Sequence, residues 1–218
     1  QAPEYLQGLI ALYRDQLDEA LALADKAKQK APWLYEAEEL AGDAHAARGL
    51  AAKAGGQADA ARDSLERALA HYQAAIAIGR SAGHLYEKAA EVLLRQSEID
   101  RERGKPVVPQ LEEARKLADH AITAAPRRGS GYTKKAYALF HLSCAYLGTD
   151  QSPEALGKQL VQVGDQALAI DPRDGYALDA VGSGLGCLGS YEQAKGRSPL
   201  PIWKDALARL RRAAEVMP

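Results

Sequence analysis

A short alanine-rich phrase recurs five times along the chain at an almost constant spacing. It begins at Ala27, Ala75, Ala121, Ala167 and Ala213, and it reads AKQKAP, AIAIGR, AITAAP, ALAIDP and AAEVMP. The first alanines of successive copies are 48, 46, 46 and 46 residues apart. A period of this regularity predicts stacked copies of one supersecondary unit, because unrelated elements have no reason to repeat at a fixed interval.

Mostly small residues mark two further positions in each copy. One lies seven residues before the phrase, and the other lies further upstream. The first set is Ala20, Ala68, Ala114, Leu160 and Ala206, and the second is Gly8, Gly42, Ala90, Ala136 and Gly182. Residues seven apart share one helix face, where small side chains let a neighbouring helix approach closely. Each copy is therefore predicted to be a pair of packed helices.

The copies differ in the length of the segment between these marks. The first is a short hairpin, and the other four carry about a dozen extra residues, which we interpret as one or two more turns on each helix. Glycines at Gly55-Gly56, Gly104, Gly148 and Gly196 indicate the turns. The predicted hairpins are approximately residues 1–32, 33–80, 81–126, 127–172 and 173–218, forming one domain. The copies end at Pro218, which suggests an excised array or a missing cap, and the start at Gln1 resembles a domain excerpt without a leader.

The second helix of each hairpin is predicted to be amphipathic. Apolar residues lie at intervals of 0, 4, 7 and 11 in two of them, as Leu65, Leu69, Tyr72 and Ile76 and as Trp203, Leu207, Leu210 and Ala214. This spacing places them on one inward face. A single hairpin cannot bury such a stripe alone, so we expect successive hairpins to share an elongated core in an all-α solenoid.

Charge and cysteine content exclude several other classes. The chain has 28 Lys plus Arg and 29 Asp plus Glu, mixed along the sequence, so we expect no attraction to nucleic acid. No apolar stretch approaches the roughly 20 residues of a membrane span, so we expect no membrane insertion. Cys144 and Cys187 are the only cysteines, which we interpret as buried, reduced thiols of a cytoplasmic protein.

The marked residues resemble the tetratricopeptide repeat (TPR). That family has a small residue at the eighth position, Ala at the twentieth and twenty-seventh, and Pro at the thirty-second. The first copy matches through Gly8, Ala20, Ala27 and Pro32, and later copies match at both ends but have a longer hairpin. The resemblance covers the whole chain and implies a right-handed α-solenoid of hairpins.

A second resemblance is carried by two short phrases. Residues 32–37 (PWLYEA) and 132–136 (YTKKA) are similar to the TPR region that follows the kinase domain of some bacterial, especially myxobacterial-type, serine/threonine protein kinases. The segment itself contains none of the kinase signature motifs. The resemblance implies a regulatory role in signalling for a kinase encoded outside this segment.

The TPR resemblance also implies a binding surface. In that family the first helices of successive hairpins line a concave groove that receives a peptide or protein. The corresponding residues here are Glu39, Asp43, Glu87, Glu91, Arg95, Thr133, Tyr137, His141, Tyr176, Asp179 and Ser183. Their acidic balance favours a basic partner. The chain contains no Asn, so it cannot reproduce the Lys and Asn clamp with which one subclass binds C-terminal carboxylates.

Two motifs allow other interpretations. Residues 184–189 spell G-x-G-x-x-G, which binds nucleotides when it follows a strand; here it lies within a predicted helix, where we expect the glycines to serve close packing and to reduce rigidity. His141, Cys144 and Cys187 could supply three zinc ligands, but no fourth is evident. Ser143 or Cys144 beside His141 makes a poor nucleophilic site, because no third group orients the base.

Aromatic residues recur near the start of the first helices, as Tyr35, Tyr86, Tyr132 and Tyr176. We expect them to pack between helices rather than to stack on bases, because no basic stripe accompanies them. The sequence thus predicts an interaction scaffold with no catalytic site, cofactor or metal. A small-molecule or lipid binder and, less favoured, a metal-dependent helical enzyme remain as alternatives. Nothing in the sequence determines the oligomeric state.

Overall fold

The computed structural model describes residues 3–217. Expectations about Gln1 and Pro218 therefore lie outside the described residues. Between residues 3 and 217 the chain forms ten α-helices and no strand, which confirms the all-α helical-repeat class. The helices are α1 Pro3–Tyr13, α2 Leu17–Lys30, α3 Tyr35–Ala54, α4 Ala58–Ile78, α5 Gly83–Glu102, α6 Val108–Ala124, α7 Gly129–Ala145, α8 Glu154–Ile170, α9 Gly175–Ala194 and α10 Leu200–Val216.

The first two helices are shorter than the others, as predicted. They contain 11 and 14 residues, whereas α3 and α4 contain 20 and 21. The longer hairpins turn through a glycine with positive φ, for example Gly56 at 71° and Gly148 at 79°. Glycine adopts this left-handed conformation without the steric cost of a Cβ atom, so it ends the helix at a defined residue.

The segment Gln1–Lys105 is a compact unit that contains α1 to α5. In this first unit α3 packs against α1, α2 and α4, and α5 packs against α4. Leu40 and Ala41 of α3 are buried with Ala24 of α2, and Tyr5 and Leu9 of α1 pack against them. The first helix of the second hairpin thus closes the apolar face that the short first hairpin leaves open.

The segment Pro106–Pro218 is a second compact unit and contains α6 to α10. Here α7 packs against α6, α8 and α9, and α9 packs against α8 and α10. Its core includes Leu139, Leu160, Val181 and Ala206, one from each of the last four helices. The boundary at residue 105 assigns α5 and α6, predicted as one hairpin over 81–126, to different units. The single domain over 1–218 stays a prediction.

The repeated residues are buried where the sequence places them. The residues that begin the recurring phrase are at most 2% exposed, and those seven residues earlier are at most 4% exposed. Gly42 lies against the ring of Tyr72, and Gly182 lies against Leu210. In each case a Cβ atom on the glycine would collide with the neighbouring side chain, so the small residues do permit close helix approach.

The predicted apolar stripe is correct for α4 but only partly for α10. Leu65 and Tyr72 are buried in the first unit. In α10, however, Leu207 is 48% exposed, and Ala214 is also exposed. The buried line of α10 runs instead through Ala206 and Ala213. The prediction that Leu207 and Ala214 face inward was therefore wrong, because no described helix covers that side of α10.

Two glycines of α9 are expected to respond oppositely to alanine. A Cβ atom at Gly186 meets nothing within 4 Å, whereas one at Gly189 would collide with the Trp203 indole. Gly186→Ala should raise the free energy of unfolding by up to about 1 kcal/mol through helix propensity. Gly189→Ala should lower it by about 1–3 kcal/mol through overpacking. Urea unfolding followed by circular dichroism measures both, and shifts of the same sign would contradict the packing described here.

Candidate functional site

The predicted binding residues of the second hairpin form a charged cluster with α5. Lys88 Nζ of α5 donates to Glu39 Oε1 of α3 at 2.6 Å and to Asp43 Oδ2 at 2.7 Å. Tyr72 of α4 donates its hydroxyl proton to Asp43 Oδ1 at 2.7 Å. The two carboxylates expected to attract a basic partner are therefore already occupied by a cation of the same unit.

The protonation states within this cluster follow from burial and charge. Burial raises the pKa of Tyr72 above its ordinary value, and the neighbouring Asp43 carboxylate raises it further. Burial by itself would lower the pKa of Lys88, but Asp43 and Glu39 outweigh it and raise that pKa. Tyr72 thus remains a hydrogen-bond donor while Lys88 remains charged.

The predicted residues on α5 are also engaged within the chain. Arg95 Nε donates to Glu91 Oε1 at 2.8 Å, and its Nη1 donates to Glu98 Oε1 at 3.5 Å. Burial would lower the pKa of Arg95, but the Glu91 and Glu98 carboxylates raise it above its ordinary value. Glu87 is buried. Glu91 and Arg95 therefore belong to an ion-paired cluster with Glu98.

In the second unit the predicted residues are brought together by hydroxyl groups. Tyr137 of α7 donates to Asp179 Oδ2 of α9 at 2.8 Å, and Ser183 donates to Asp179 Oδ1 at 3.5 Å. Thr133 is buried and donates to Asp174 Oδ2 at 2.6 Å. Asp174 also accepts from the backbone N–H of Ala177, so it caps the start of α9. Sequence reasoning missed Asp174.

The tyrosines near the starts of α3, α5, α7 and α9, and His141 of α7, differ in how deeply they are buried. His141 is buried beside Phe140, with ring centroids 4.5 Å apart. Tyr132 is partly buried, as are Tyr35 and Tyr86 in the first unit. Tyr176 is 64% exposed. Packing between helices was therefore the wrong interpretation for Tyr176.

The two cysteines form a disulfide, so the interpretation as reduced thiols was wrong. Cys144 of α7 and Cys187 of α9 are bonded, with Cα atoms 5.4 Å apart. Their sulfurs cannot act as thiolate ligands for zinc or as nucleophiles in this state. Hence neither the zinc site nor the nucleophilic site that we considered beside His141 has a free thiol in this state.

The disulfide also bears on location. Such bonds are typical of oxidising compartments, and a cytoplasmic location stays a prediction. Along residues 3–217 no helix combines the length and apolar character needed to cross a bilayer.

The glycine motif at 184–189 lies wholly inside α9. Gly184 faces Leu160 of α8, and Gly189 faces Trp203 of α10. The motif lies within a helix, and no strand precedes it among residues 3–217. Close packing is confirmed for Gly189, but it was the wrong expectation for Gly186, because a Cβ atom there would meet nothing within 4 Å.

Lys88 and Tyr72 are the other site residues that sequence reasoning missed. Lys88 occupies the repeat position held by the buried Leu40 in the preceding hairpin. A charged residue at a core register, facing carboxylates one repeat earlier, is the signal that could have identified it.

Solved structures with TPR folds are similar to this chain. YrrB, a TPR protein with an unusual peptide-binding site, has a TM-score of 0.56 and 17% identity over 100% of this chain and 87% of its own. A thermophilic TPR protein of Thermus thermophilus has a TM-score of 0.58 and 19% identity, over 99% and 90%. MamA has a TM-score of 0.55 and 12% identity, over 95% and 92%. At these identities the likeness shows the fold.

No protein-family model and no curated protein matches the sequence.

Proposed function

We propose that this chain is a protein-interaction scaffold and that the α7–α9 surface of its second unit binds a peptide or protein segment. That surface comprises Tyr137, Tyr176, Asp179, Ser183 and Gly186. YrrB, which shares the fold, is a TPR protein with an unusual peptide-binding site. The segment is proposed to perform no chemistry itself, because the thiols considered as nucleophiles are bonded to each other.

The environment of Asp179 is the observation that carries this proposal. Among residues 3–217, its carboxylate accepts hydrogen bonds from the hydroxyl groups of Tyr137 and Ser183. Within residues 3–217 no Lys, Arg or His pairs with it. Glu39 and Asp43, by contrast, already bind Lys88. Asp179 is therefore the predicted acidic residue best prepared to receive a cation from a partner.

The neighbours of Asp179 suit a basic side chain. Tyr176, Ser183 and Gly186 lie three, four and seven residues away on the same side of α9. The exposed Tyr176 ring can contact a cation through its face. No atom lies within 4 Å of a Cβ atom built at Gly186, so an incoming chain can approach the helix backbone there. The proposed partner carries Lys or Arg at the contact.

Selection from a phage-displayed random peptide library tests the proposal. The full chain should enrich peptides that contain Lys or Arg. Asp179→Asn should weaken binding of a selected peptide at least about tenfold, because hydrogen bonds to charged groups contribute about 1.5–3 kcal/mol. Isothermal titration calorimetry measures the dissociation constants, and a thermal melt checks that the variant is folded.

Asp63→Asn is the matched control, because Asp63 is exposed on α4 of the first unit and the charge change is identical. It should leave binding unchanged. Enriched peptides without basic residues, or equal affinities for wild type and Asp179→Asn, would refute the proposed site.

The two remaining hypotheses have less support. The hypothesis that a serine/threonine kinase domain is linked to this segment rests on the two phrases at 32–37 and 132–136. The coding sequence on either side of the segment tests it, because a linked kinase domain would be encoded in the same reading frame. A small-molecule or lipid binder would need an apolar cavity. A cavity of about 430 Å³ in the second unit has a mixed lining instead: its apolar residues Leu168, Ala169, Leu178 and Ala208 share it with Asp165, Asp205, Arg209 and Arg212.

A further inference from the structure

The disulfide joins the same two helices that carry the proposed binding surface. Cys144 lies seven residues after Tyr137 on α7, and Cys187 lies eight residues after Asp179 on α9. Residues seven or eight apart share one face of an α-helix. The bond therefore lies in line with the hydrogen bond from Tyr137 to Asp179 Oδ2, which measures 2.8 Å.

Four contacts connect α7 to α9 and its N-cap residue, and we call this line of contacts the α7–α9 seam. The first two are hydrogen bonds, the third is a close backbone approach, and the fourth is the disulfide. At the third, a Cβ atom on the α9 glycine would lie 3.5 Å from a Cα atom of α7. The pairs are Thr133 with Asp174, Tyr137 with Asp179, Phe140 with Gly184, and Cys144 with Cys187.

The part of α9 that the disulfide holds is rich in glycine. Residues 182–189 contain four glycines around Cys187. Each glycine costs a helix interior about 1 kcal/mol relative to alanine, because its backbone loses the most freedom on folding. Ser183 and Gly186 of the proposed binding surface belong to this segment. Their positions depend on the contacts that hold it, and the disulfide is the one covalent contact, since the chain has only two cysteines.

Both cysteines are partly exposed, so a small thiol in solution can reach the bond. Each is of intermediate burial, and Cys144 lies next to Ala145, at which α7 ends. Disulfides that solvent reaches are reduced more easily than enclosed ones. A thiolate attacks one sulfur and forms a mixed disulfide while the other cysteine leaves as a thiolate, and a second thiol then releases the first cysteine. The protein gains two electrons and two protons, and the two small thiols become a disulfide.

We propose that this disulfide is a redox switch for the α7–α9 surface, and that its reduction by a small thiol weakens peptide binding there. With the bond intact, residues 182–189 are held against α7, and Ser183 stays within 3.5 Å of Asp179 Oδ1. After reduction the segment loosens, and a peptide must order it on binding, which lowers the apparent affinity. This inference rests on the proposed function, because it assigns regulation to that same site.

Hydrogen–deuterium exchange of the full chain measures the loosening without any peptide. Reduction with dithiothreitol should raise the exchange rates of backbone amides in residues 182–189 at least about tenfold. Amides of α3 in the first unit should exchange as before. The double variant Cys144→Ala and Cys187→Ala should show the raised rates with and without the reductant, which separates loss of the bond from other effects of dithiothreitol.

A peptide enriched by the oxidised chain in the library selection is the probe for binding. Isothermal titration calorimetry should give at least about fivefold weaker binding to the reduced chain, because a smaller fraction of molecules has the competent surface. The variant with Cys144→Ala and Cys187→Ala should bind as the reduced chain does and should not respond to reductant. Reoxidation of the wild type with oxidised glutathione should restore its affinity.

The switch and the binding site fail in different ways. Equal affinities of the oxidised and reduced chains, with Asp179→Asn still weakening binding, would overturn the switch and leave the binding site intact. An oxidised Asp179→Asn variant that binds as tightly as the wild type would overturn the binding site itself, whatever the exchange of residues 182–189 shows.

Two further results would identify the disulfide as a purely structural cross-link. One is resistance of the folded chain to reduction by excess reduced glutathione, measured by free-thiol titration. The other is loss of the whole helical circular-dichroism signal on reduction, because a switch requires that both states stay folded. Either result would overturn the proposal.

Discussion

Reduction of the Cys144–Cys187 disulfide should lower the free energy of unfolding of the second unit by about 4 kcal/mol. The bond joins α7 to α9 across a sequence separation of 43 residues. A cross-link of that length removes loop-closure entropy from the unfolded chain, and the chain-entropy relation gives about 4 kcal/mol for it. Urea unfolding followed by circular dichroism, with and without a reductant, measures the difference.

A variant without either cysteine separates the effect of the bond from that of the reductant. The protein with Cys144→Ala and Cys187→Ala should unfold at the urea concentration of the reduced wild type, and reductant should not shift it. Free-thiol titration of the unreduced, denatured wild type should detect no thiol. Two thiols per chain, or superimposable unfolding curves, would contradict the prediction.

The helical pairs could be predicted because their information is local and repeated. Gly42 permits the close approach of Tyr72 only because it is small, and the same requirement holds at Gly8 and Gly182. Each copy restates the same packing condition, so the period is visible without coordinates. The prediction failed for Leu207, whose burial depends on a covering helix and not on the amphipathic pattern of α10 alone.

The pairing of side chains across helices was harder to predict. Cys144 and Cys187 are nearly one repeat apart on α7 and α9, and only the packing of those two helices brings their Cα atoms to 5.4 Å. Likewise, Lys88 pairs with two carboxylates on a different helix. Such contacts depend on how far each helix is rotated about its axis and shifted along its neighbour. The repeat length in the sequence does not determine either quantity precisely enough to predict which side chains meet.

Asp179 shows which part of the candidate site could be predicted from the sequence. The TPR resemblance placed it on a binding surface together with Glu39 and Asp43, and all three had equal standing as acidic residues. The described part of the chain distinguishes them, because Lys88 pairs with Glu39 and Asp43, whereas the hydrogen bonds to Asp179 come from hydroxyl groups. Residue type and register predicted the surface, whereas the local charge balance required the positions of the neighbouring helices.

Acidification from pH 6.5 to pH 4 should destabilise the first unit by as much as about 3 kcal/mol through His45. The side chain is 7% exposed on α3, stacks on His71 of α4 with ring centroids 5.4 Å apart, and its Nδ1 has no partner among the described residues. Burial, together with the nearby His71, Arg48 and Arg67, lowers the pKa of His45 to about 4, and Asp25 only partly opposes this shift.

The sign follows from proton binding. In the unfolded chain His45 has its ordinary pKa of about 6.5, so between pH 6.5 and 4 the unfolded state binds a proton that the folded state does not. Stability from neutral His45 is complete above pH 6.5 and is lost as the pH falls toward 4, at about 1.4 kcal/mol per unit.

Urea unfolding of the wild type and His45→Gln at pH 7, 5.5 and 4 isolates this contribution, because other groups titrate in both proteins. The wild type should lose more stability than the variant, and an NMR titration should place the His45 pKa below 5. Parallel losses in the two proteins, or a His45 pKa near 6.5, would show that this imidazole is not held neutral by its burial.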